Sequence, residues 1–94
     1  MKVKYGREDD ALYITLNEDA EVSRTLRIDP GTLVDLDRFG NVRGIEVLRP
    51  GRQWPLEQIL SQCTVSEVDA LLLRELQSST EFRRYAFAPP VQVA

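Results

Sequence analysis

The hydrophobic pattern changes its period partway along this 94-residue chain, and that change restricts the fold more than any other feature. Residues 1–48 alternate apolar and polar side chains in runs broken by acidic or glycine turns, which is typical of half-buried β-strands. Residues 54–78 carry apolar side chains at intervals of three and four, which is typical of amphipathic helices. We therefore predict an α+β fold, in which a small antiparallel β-meander of four or five strands is followed by two short helices that pack on it.

The chain is predicted to form one domain over residues 1–94, because its linker-like stretch at residues 49–53 is too short to separate two units. Within that domain we assign residues 1–50 to the β-meander, 51–80 to the helical segment and 81–94 to an extended tail. A chain of this length buries roughly 60 to 65 per cent of its unfolded surface, which is marginal for a monomer with a deep cleft. Association with a partner would add buried surface.

The clearest local signal is a β-hairpin over residues 33–48, with Gly40 at the left-handed position of its turn. We expect Asp37 to pair with Asn41 beside that turn. In this register Asp35 faces Arg43 and forms a cross-strand ion pair with it. The apolar side chains would then be divided between two faces, both of which need cover. One face would carry Val34, Leu36, Val42 and Leu48, and the other Leu33, Ile45 and Val47.

Two short helices are predicted after the hairpin. The first follows Pro55, which suits a first helical position, and its apolar stripe consists of Leu56, Ile59, Leu60 and Cys63. The second begins at a capping box formed by Thr64 and Glu67. Its apolar arc consists of Val65, Val68, Leu71, Leu72 and Leu76, and Leu73 lies off this arc, which predicts that Leu73 contacts more than its own sheet.

Several kinds of catalytic and metal site are excluded because the chain lacks the residues that they need. The chain has no histidine and one cysteine, which excludes Ser/His and Cys/His nucleophile pairs and any zinc site that uses histidine. The lone thiol cannot form an internal disulfide, and no signal peptide or membrane span is recognisable, so we expect a cytoplasmic protein. A net charge of −3 disfavours non-specific binding to nucleic acid. No cofactor is predicted.

Carboxylates are the remaining route to a metal site or an enzyme. The spacing of Asp35, Asp37, Gly40 and Glu46 partly resembles a calcium-binding loop, but Phe39 and Arg43 replace two oxygen ligands. Asp10 completes the candidate acidic cluster of Asp10, Asp35, Asp37 and Glu46. We favour solvated turn acids over a shared site. We likewise read Cys63 as a small buried hydrophobic residue, and Trp54 as a staple of the first helix onto the sheet rather than a pocket anchor.

The tail concentrates aromatic and basic side chains between Phe82 and Phe87. Such a segment can stack on single-stranded nucleic acid, pack within its own chain, or anchor a neighbouring subunit. The acidity of the chain favours self-association over nucleic acid. The candidate interface residues are Ile45, Val47, Leu73, Phe82, Tyr85 and Phe87.

Two motifs of the first half resemble a known family. Residues 10–14 read DALYI, and residues 35–48 follow the pattern D-x-D-x-x-G-x-V-x-G-I-E-V-L. Together with Tyr5 and Leu16, they resemble the domain of unknown function 2283, small bacterial and archaeal proteins with an antiparallel meander. The resemblance implies no catalytic residue or cofactor. Some members look like partners of small toxin-like proteins that are encoded beside them. The resemblance therefore also implies an antitoxin-like or regulatory role. Residues 53–94 lie outside the family pattern.

The leading hypothesis is a non-catalytic protein–protein interaction module that forms a homodimer. An antitoxin-like or regulatory protein, whose partner is the product of an adjacent gene, is the second hypothesis. A small carboxylate-based metal-binding protein or enzyme is the third. The sequence leaves these three open.

Overall fold

The computed structural model describes residues 1–82, with the side chains of residues 1–79. Five strands form one antiparallel sheet in the order β1-β2-β5-β4-β3, and two helices follow, so the predicted α+β fold is confirmed. None of the described helices is long and apolar enough to cross a membrane. The elements are β1 (Lys2–Gly6), β2 (Ala11–Thr15), β3 (Arg24–Asp29), β4 (Thr32–Leu36), β5 (Val42–Leu48), α1 (Leu56–Gln62) and α2 (Glu67–Phe82).

The turn of the β4–β5 hairpin follows the prediction. Gly40 has a φ of +84°, and the amide of Asp37 donates to the carbonyl of Asn41 at 2.9 Å. The Asp37 carboxylate accepts hydrogen bonds from the amides of Phe39 and Asn41 at 2.8 and 2.9 Å. Partial desolvation opposes the charge, but these bonds hold the pKa of Asp37 below its usual value. The carboxylate therefore belongs to the turn.

The predicted register fails one residue beyond Val42. Asp35 lies opposite Gly44, because Arg43 is an extra residue that bulges from β5. The expected ion pair between Asp35 and Arg43 is therefore wrong. The Arg43 side chain instead donates to the carbonyl of Ala20 at 3.0 Å, which ties the β2–β3 loop to β5.

This bulge decides which face of the sheet is apolar. An inserted residue reverses the alternation of side chains after it, so Ile45 and Val47 point to the same face as Val42. The expectation that the hairpin has two apolar faces is wrong. Among the apolar residues of β4 and β5, Leu33 and Leu48 are the two that point away from that face. The buried face of the sheet consists of Leu12, Ile14, Val34, Leu36, Val42, Ile45 and Val47.

The residues after the sheet cover that face. Trp54, Leu56 and Ile59 are buried against it, which confirms Trp54 as a staple of the first helix. Leu60 and Cys63 are partly buried beside them, so the predicted stripe of α1 is also confirmed. Burial raises the pKa of the Cys63 thiol, which is the direction that disfavours the nucleophilic thiolate.

The start of α2 differs from the prediction. Ser66, not Thr64, caps the helix, and its hydroxyl accepts a hydrogen bond from the amide of Asp69 at 3.2 Å. Thr64 serves the sheet instead. Its amide donates to the carbonyl of Gly40, and its carbonyl accepts from the amide of Val42 at 3.0 Å. Because the backbone of Thr64 is held in this parallel bridge, the helix begins only after it.

The orientation of α2 also differs. Leu73 is completely buried in the core of the single chain, with Leu76 partly buried beside it. We expected Leu73 to contact more than its own sheet, and it lies in a core cluster that also contains Trp54, Leu56 and Ile59 of the same chain. The helix contacts the rest of the chain through this side. Gln77 donates a hydrogen bond to the carbonyl of Trp54. Arg74 forms a bidentate ion pair with Glu57, in which each of the two N–H···O bonds is 3.0 Å long.

A further contact closes the end of the sheet where β3 turns into β4. The guanidinium of Arg52 donates to both Asp29 carboxylate oxygens, at 3.0 and 3.3 Å, and to the hydroxyl of Thr32 at 2.7 Å. Desolvation opposes the charge of Asp29, but the hydrogen bonds from Arg52 lead those that hold its pKa below the usual value. Arg52 therefore fixes the linker before the helices.

We expect Arg52→Ala to lower the free energy of unfolding by about 1 to 3 kcal/mol at pH 7, since it removes the guanidinium that donates to both Asp29 and Thr32 and leaves Asp29 with the amide of Gly31 as a donor. The pKa of Asp29 is depressed in the folded state, so the stabilisation is complete above its unfolded pKa and is lost as the pH falls through the folded value. Urea unfolding at pH 7 and pH 3 measures the difference between the two proteins, which should shrink at pH 3. A constant difference would contradict this assignment.

Candidate interaction surface

The four acidic residues of the predicted cluster have separate tasks. The Asp10 carboxylate accepts the hydroxyl of Tyr5 at 2.6 Å and lies in the β1–β2 turn, with a φ of +49°. Desolvation and this hydrogen bond raise the pKa of Tyr5 to about 12. Asp35 lies on the open face of the sheet and accepts the hydroxyl of Thr25 at 2.6 Å, while Asp37 closes its own turn.

Glu46 lies on the same open face as Asp35, between Tyr13 of β2 and Leu33 of β4. The pKa of Tyr13 is raised, first by desolvation and then by the negative charges of Asp9 and Glu46. Within residues 1–82, no three Asp, Glu or Cys side chains come together as a group that could hold a metal ion. These carboxylates therefore offer no shared centre for metal binding or acid–base work in the described fold.

The predicted interface residues are separated as well. Ile45, Val47 and Leu73 are buried within the chain, so none of the three presents a side chain to a partner. Phe82 ends α2, and Tyr85 and Phe87 lie outside the described residues. The apolar surface available for contact lies elsewhere in the described part of the chain.

The opposite side of α2 exposes a compact apolar patch. Val68, Leu71 and Leu72 are 67, 62 and 40 per cent exposed, and their spacing of three and four residues places them on one helix face. We call these three residues the α2 patch. The sequence groups these three residues in one apolar arc with Val65 and Leu76, but the apolar residues of α2 fit two overlapping arcs. Only Leu73 and Leu76 fit the arc that also places Gln77 against Trp54.

The α2 patch has an acidic surrounding. From residue 54 to residue 82 the chain carries one basic side chain, Arg74, and it is already paired with Glu57. That pairing lowers the pKa of Glu57, chiefly through the hydrogen bond. The acidic side chains of this segment are Glu57, Glu67, Asp69, Glu75 and Glu81. A partner that covers the patch should therefore itself present apolar groups flanked by positive charge.

Other surfaces are less suited to a partner. The edge strand β1 carries Lys2 and Lys4, and the edge strand β3 carries Arg24 and Arg27 with a register shift after Arg27. Charged side chains and irregular edges discourage a further strand from pairing. An open depression of about 550 Å³ lies between the β2–β3 loop and the hairpin turn. Its lining includes Asp19, Glu21, Asp37, Arg38 and Phe39.

Three side chains of that depression have local contacts within the hairpin turn. Asp37 is held by the turn amides, and the guanidinium of Arg38 lies over the exposed ring of Phe39, 4.8 Å from its centroid. The pKa of Asp37 is lowered, as is usual for a carboxylate that accepts hydrogen bonds from backbone amides. Its residues form a loop surface.

A family model described as "Protein of unknown function (DUF2283)" matches residues 2–49, which span the five strands. No curated protein and no solved structure gives a significant match to the chain. The match covers more than half of the 94 residues and ends before Trp54 and the helices. The chain therefore belongs to this family, and the surface on α2 lies outside the part that the family model recognises.

Proposed function

We propose that this member of the DUF2283 family is a non-catalytic, cytoplasmic protein–protein interaction module that acts as a homodimer. The observation that carries the proposal is the α2 patch, a group of three exposed aliphatic side chains on a helix whose other side is already buried. Isolated exposed apolar residues are normal, but a contiguous group on one helix face is typical of an interface.

The non-catalytic part of the proposal is supported by the chemistry of the side chains. The chain lacks histidine, its single thiol is partly buried with a pKa that burial raises, and the acids of the predicted cluster are distributed among turns and the open sheet face. A binding surface is the one kind of site for which the described residues provide a contiguous set of groups.

Static light scattering at tens of micromolar should give twice the mass of one chain. We expect Leu71→Asp to shift this mass toward the monomer, because an interface then has to bury a charge. Phe39→Asp is the matched control, since Phe39 is even more exposed and lies on the hairpin turn. Circular dichroism should show that both variants remain folded.

A monodisperse monomer for the unsubstituted protein contradicts the homodimer. Dissociation by Phe39→Asp but not by Leu71→Asp moves the interface to the hairpin end of the molecule. A monomer that co-purifies with the co-expressed product of an adjacent gene assigns the α2 patch to that other protein.

A further inference from the structure

The exposed face of α2 has a seven-residue repeat that continues past the end of the described helix. Val68, Glu75 and Phe82 are seven residues apart, and so are Leu71, Ser78 and Tyr85. These are the two seam positions of a heptad, at which paired helices contact each other. The repeat is apolar at its first and third heptads and polar at its second, which the exposed side chains of Glu75 and Ser78 occupy.

The charges along this repeat are also asymmetric. Acidic Glu67 and Asp69 lie in the first turn of α2. Arg83 and Arg84 follow Phe82 directly, and no acid occurs between them and the last residue, Ala94. One end of the repeat is therefore acidic and aliphatic, and the other end is basic and aromatic.

We propose that the occupant of the α2 patch is the segment Phe82–Phe87 of a second copy, with the two α2 helices antiparallel. This inference rests on the homodimer proposed above and names its geometry. Antiparallel heptads pair the first seam position of one helix with the second of the other. Among the described residues, this arrangement places Glu75 of one copy opposite Ser78 of the other at the middle of the seam, and the segment Phe82–Phe87 of each copy is directed toward the Val68 end of its partner.

Charge selects this direction. A parallel pair would place the acids of both first turns side by side, and would also oppose Glu75 to its own copy. The antiparallel pair brings Arg83 and Arg84 of one copy near Glu67 and Asp69 of the other. The middle of the seam then matches a carboxylate with a hydroxyl, which can donate a hydrogen bond to it.

Area points to the same occupant. A stable dimer buries roughly 800 Å² on each partner, and the α2 patch alone, with three partly exposed aliphatic side chains, is too small. Aromatic side chains bury about 150 to 250 Å² each. Phe82 and Tyr85, the two aromatic residues at seam positions of the repeat, therefore supply the missing area, and Arg and aromatic groups are the preferred anchors of interfaces.

Disulfide trapping tests the register. In a Cys63→Ser background, Glu75→Cys and Ser78→Cys are made as separate single-cysteine proteins, and both sites are exposed. An equimolar mixture is oxidised with oxidised glutathione and run on a non-reducing gel. We expect the mixture to form a covalent heterodimer at least several-fold faster than either protein alone, because the two positions face each other across the seam. Gln58→Cys, on the exposed side of α1, is the control and should not cross-link.

Charge exchange provides a second measurement. Arg83→Glu with Arg84→Glu should weaken the dimer about tenfold or more, and adding Glu67→Lys with Asp69→Lys should restore it. Fast self-cross-linking of Glu75→Cys overturns the antiparallel direction. A dimer by mass that persists without residues 83–94 overturns the occupant but leaves the homodimer standing, whereas a monomer of the unsubstituted protein overturns both proposals.

Discussion

Leu73→Ala is expected to lower the free energy of unfolding by about 2 to 4 kcal/mol, whereas Leu72→Ala, one residue earlier, should change it by about 0.5 kcal/mol or less in the monomer. The two substitutions remove the same atoms from the same helix. They differ in burial, since Leu73 is fully buried and Leu72 is 40 per cent exposed. Removing the Leu73 side chain leaves a cavity in the core next to α1. The cost of that cavity adds to the transfer free energy that is lost with the buried atoms.

Urea unfolding followed by the fluorescence of Trp54, the one tryptophan, measures both variants. Measurements at low protein concentration keep dimerisation from contributing, because association stabilises by mass action. Equal losses for the two leucines would contradict the orientation of α2. A larger loss for Leu72→Ala would restore the arc that the sequence favours.

Trp54→Ala is expected to have the largest effect of any single truncation, about 3 to 5 kcal/mol. Trp54 is buried between the sheet and the start of α1, and its carbonyl accepts the hydrogen bond from Gln77 of α2. Loss of the indole leaves a cavity in the core that the sheet and the helices share, while the backbone carbonyl that Gln77 contacts remains. Because total stability of a domain this size is only about 5 to 10 kcal/mol, the variant should lose a large share of it and unfold at a clearly lower temperature.

Thermal unfolding followed by circular dichroism measures this effect, since the substitution removes the fluorescent probe. Trp54→Phe is the matched control, because it retains an aromatic ring in the same place and should lose about half as much. An unchanged midpoint for Trp54→Ala would mean that α1 is not held to the sheet through this side chain.

The sequence predicts the elements of this fold well, because their signals are local. Alternation identifies the strands, the glycine at residue 40 identifies the turn, and the spacing of Leu56 and Ile59 identifies the buried side of α1. The bulge at Arg43 is not local in this sense. A register set by one extra residue depends on the neighbouring strand, and it moved Ile45 and Val47 from a predicted second face into the core.

The candidate site was harder to predict for a related reason. Apolar residues at 68, 71, 72, 73 and 76 extend around most of α2, so periodicity alone fits two sides of the helix. The choice between them depends on how the helix packs on Trp54 and Glu57, which are distant in the chain. The bidentate pair of Arg74 with Glu57 and the bond from Gln77 to Trp54 fix that side. No pattern within α2 contains these contacts.

The family model ends where the cover of the sheet begins, and this divides the core of the chain between two parts of the sequence. The matched region carries one continuous apolar face, which is closed by Trp54 and the helices from outside that region. The five strands therefore do not complete the core by themselves. The segment after the sheet both closes that face and carries the three exposed side chains of the α2 patch, so the same helix that completes the core also determines the apolar surface of the molecule.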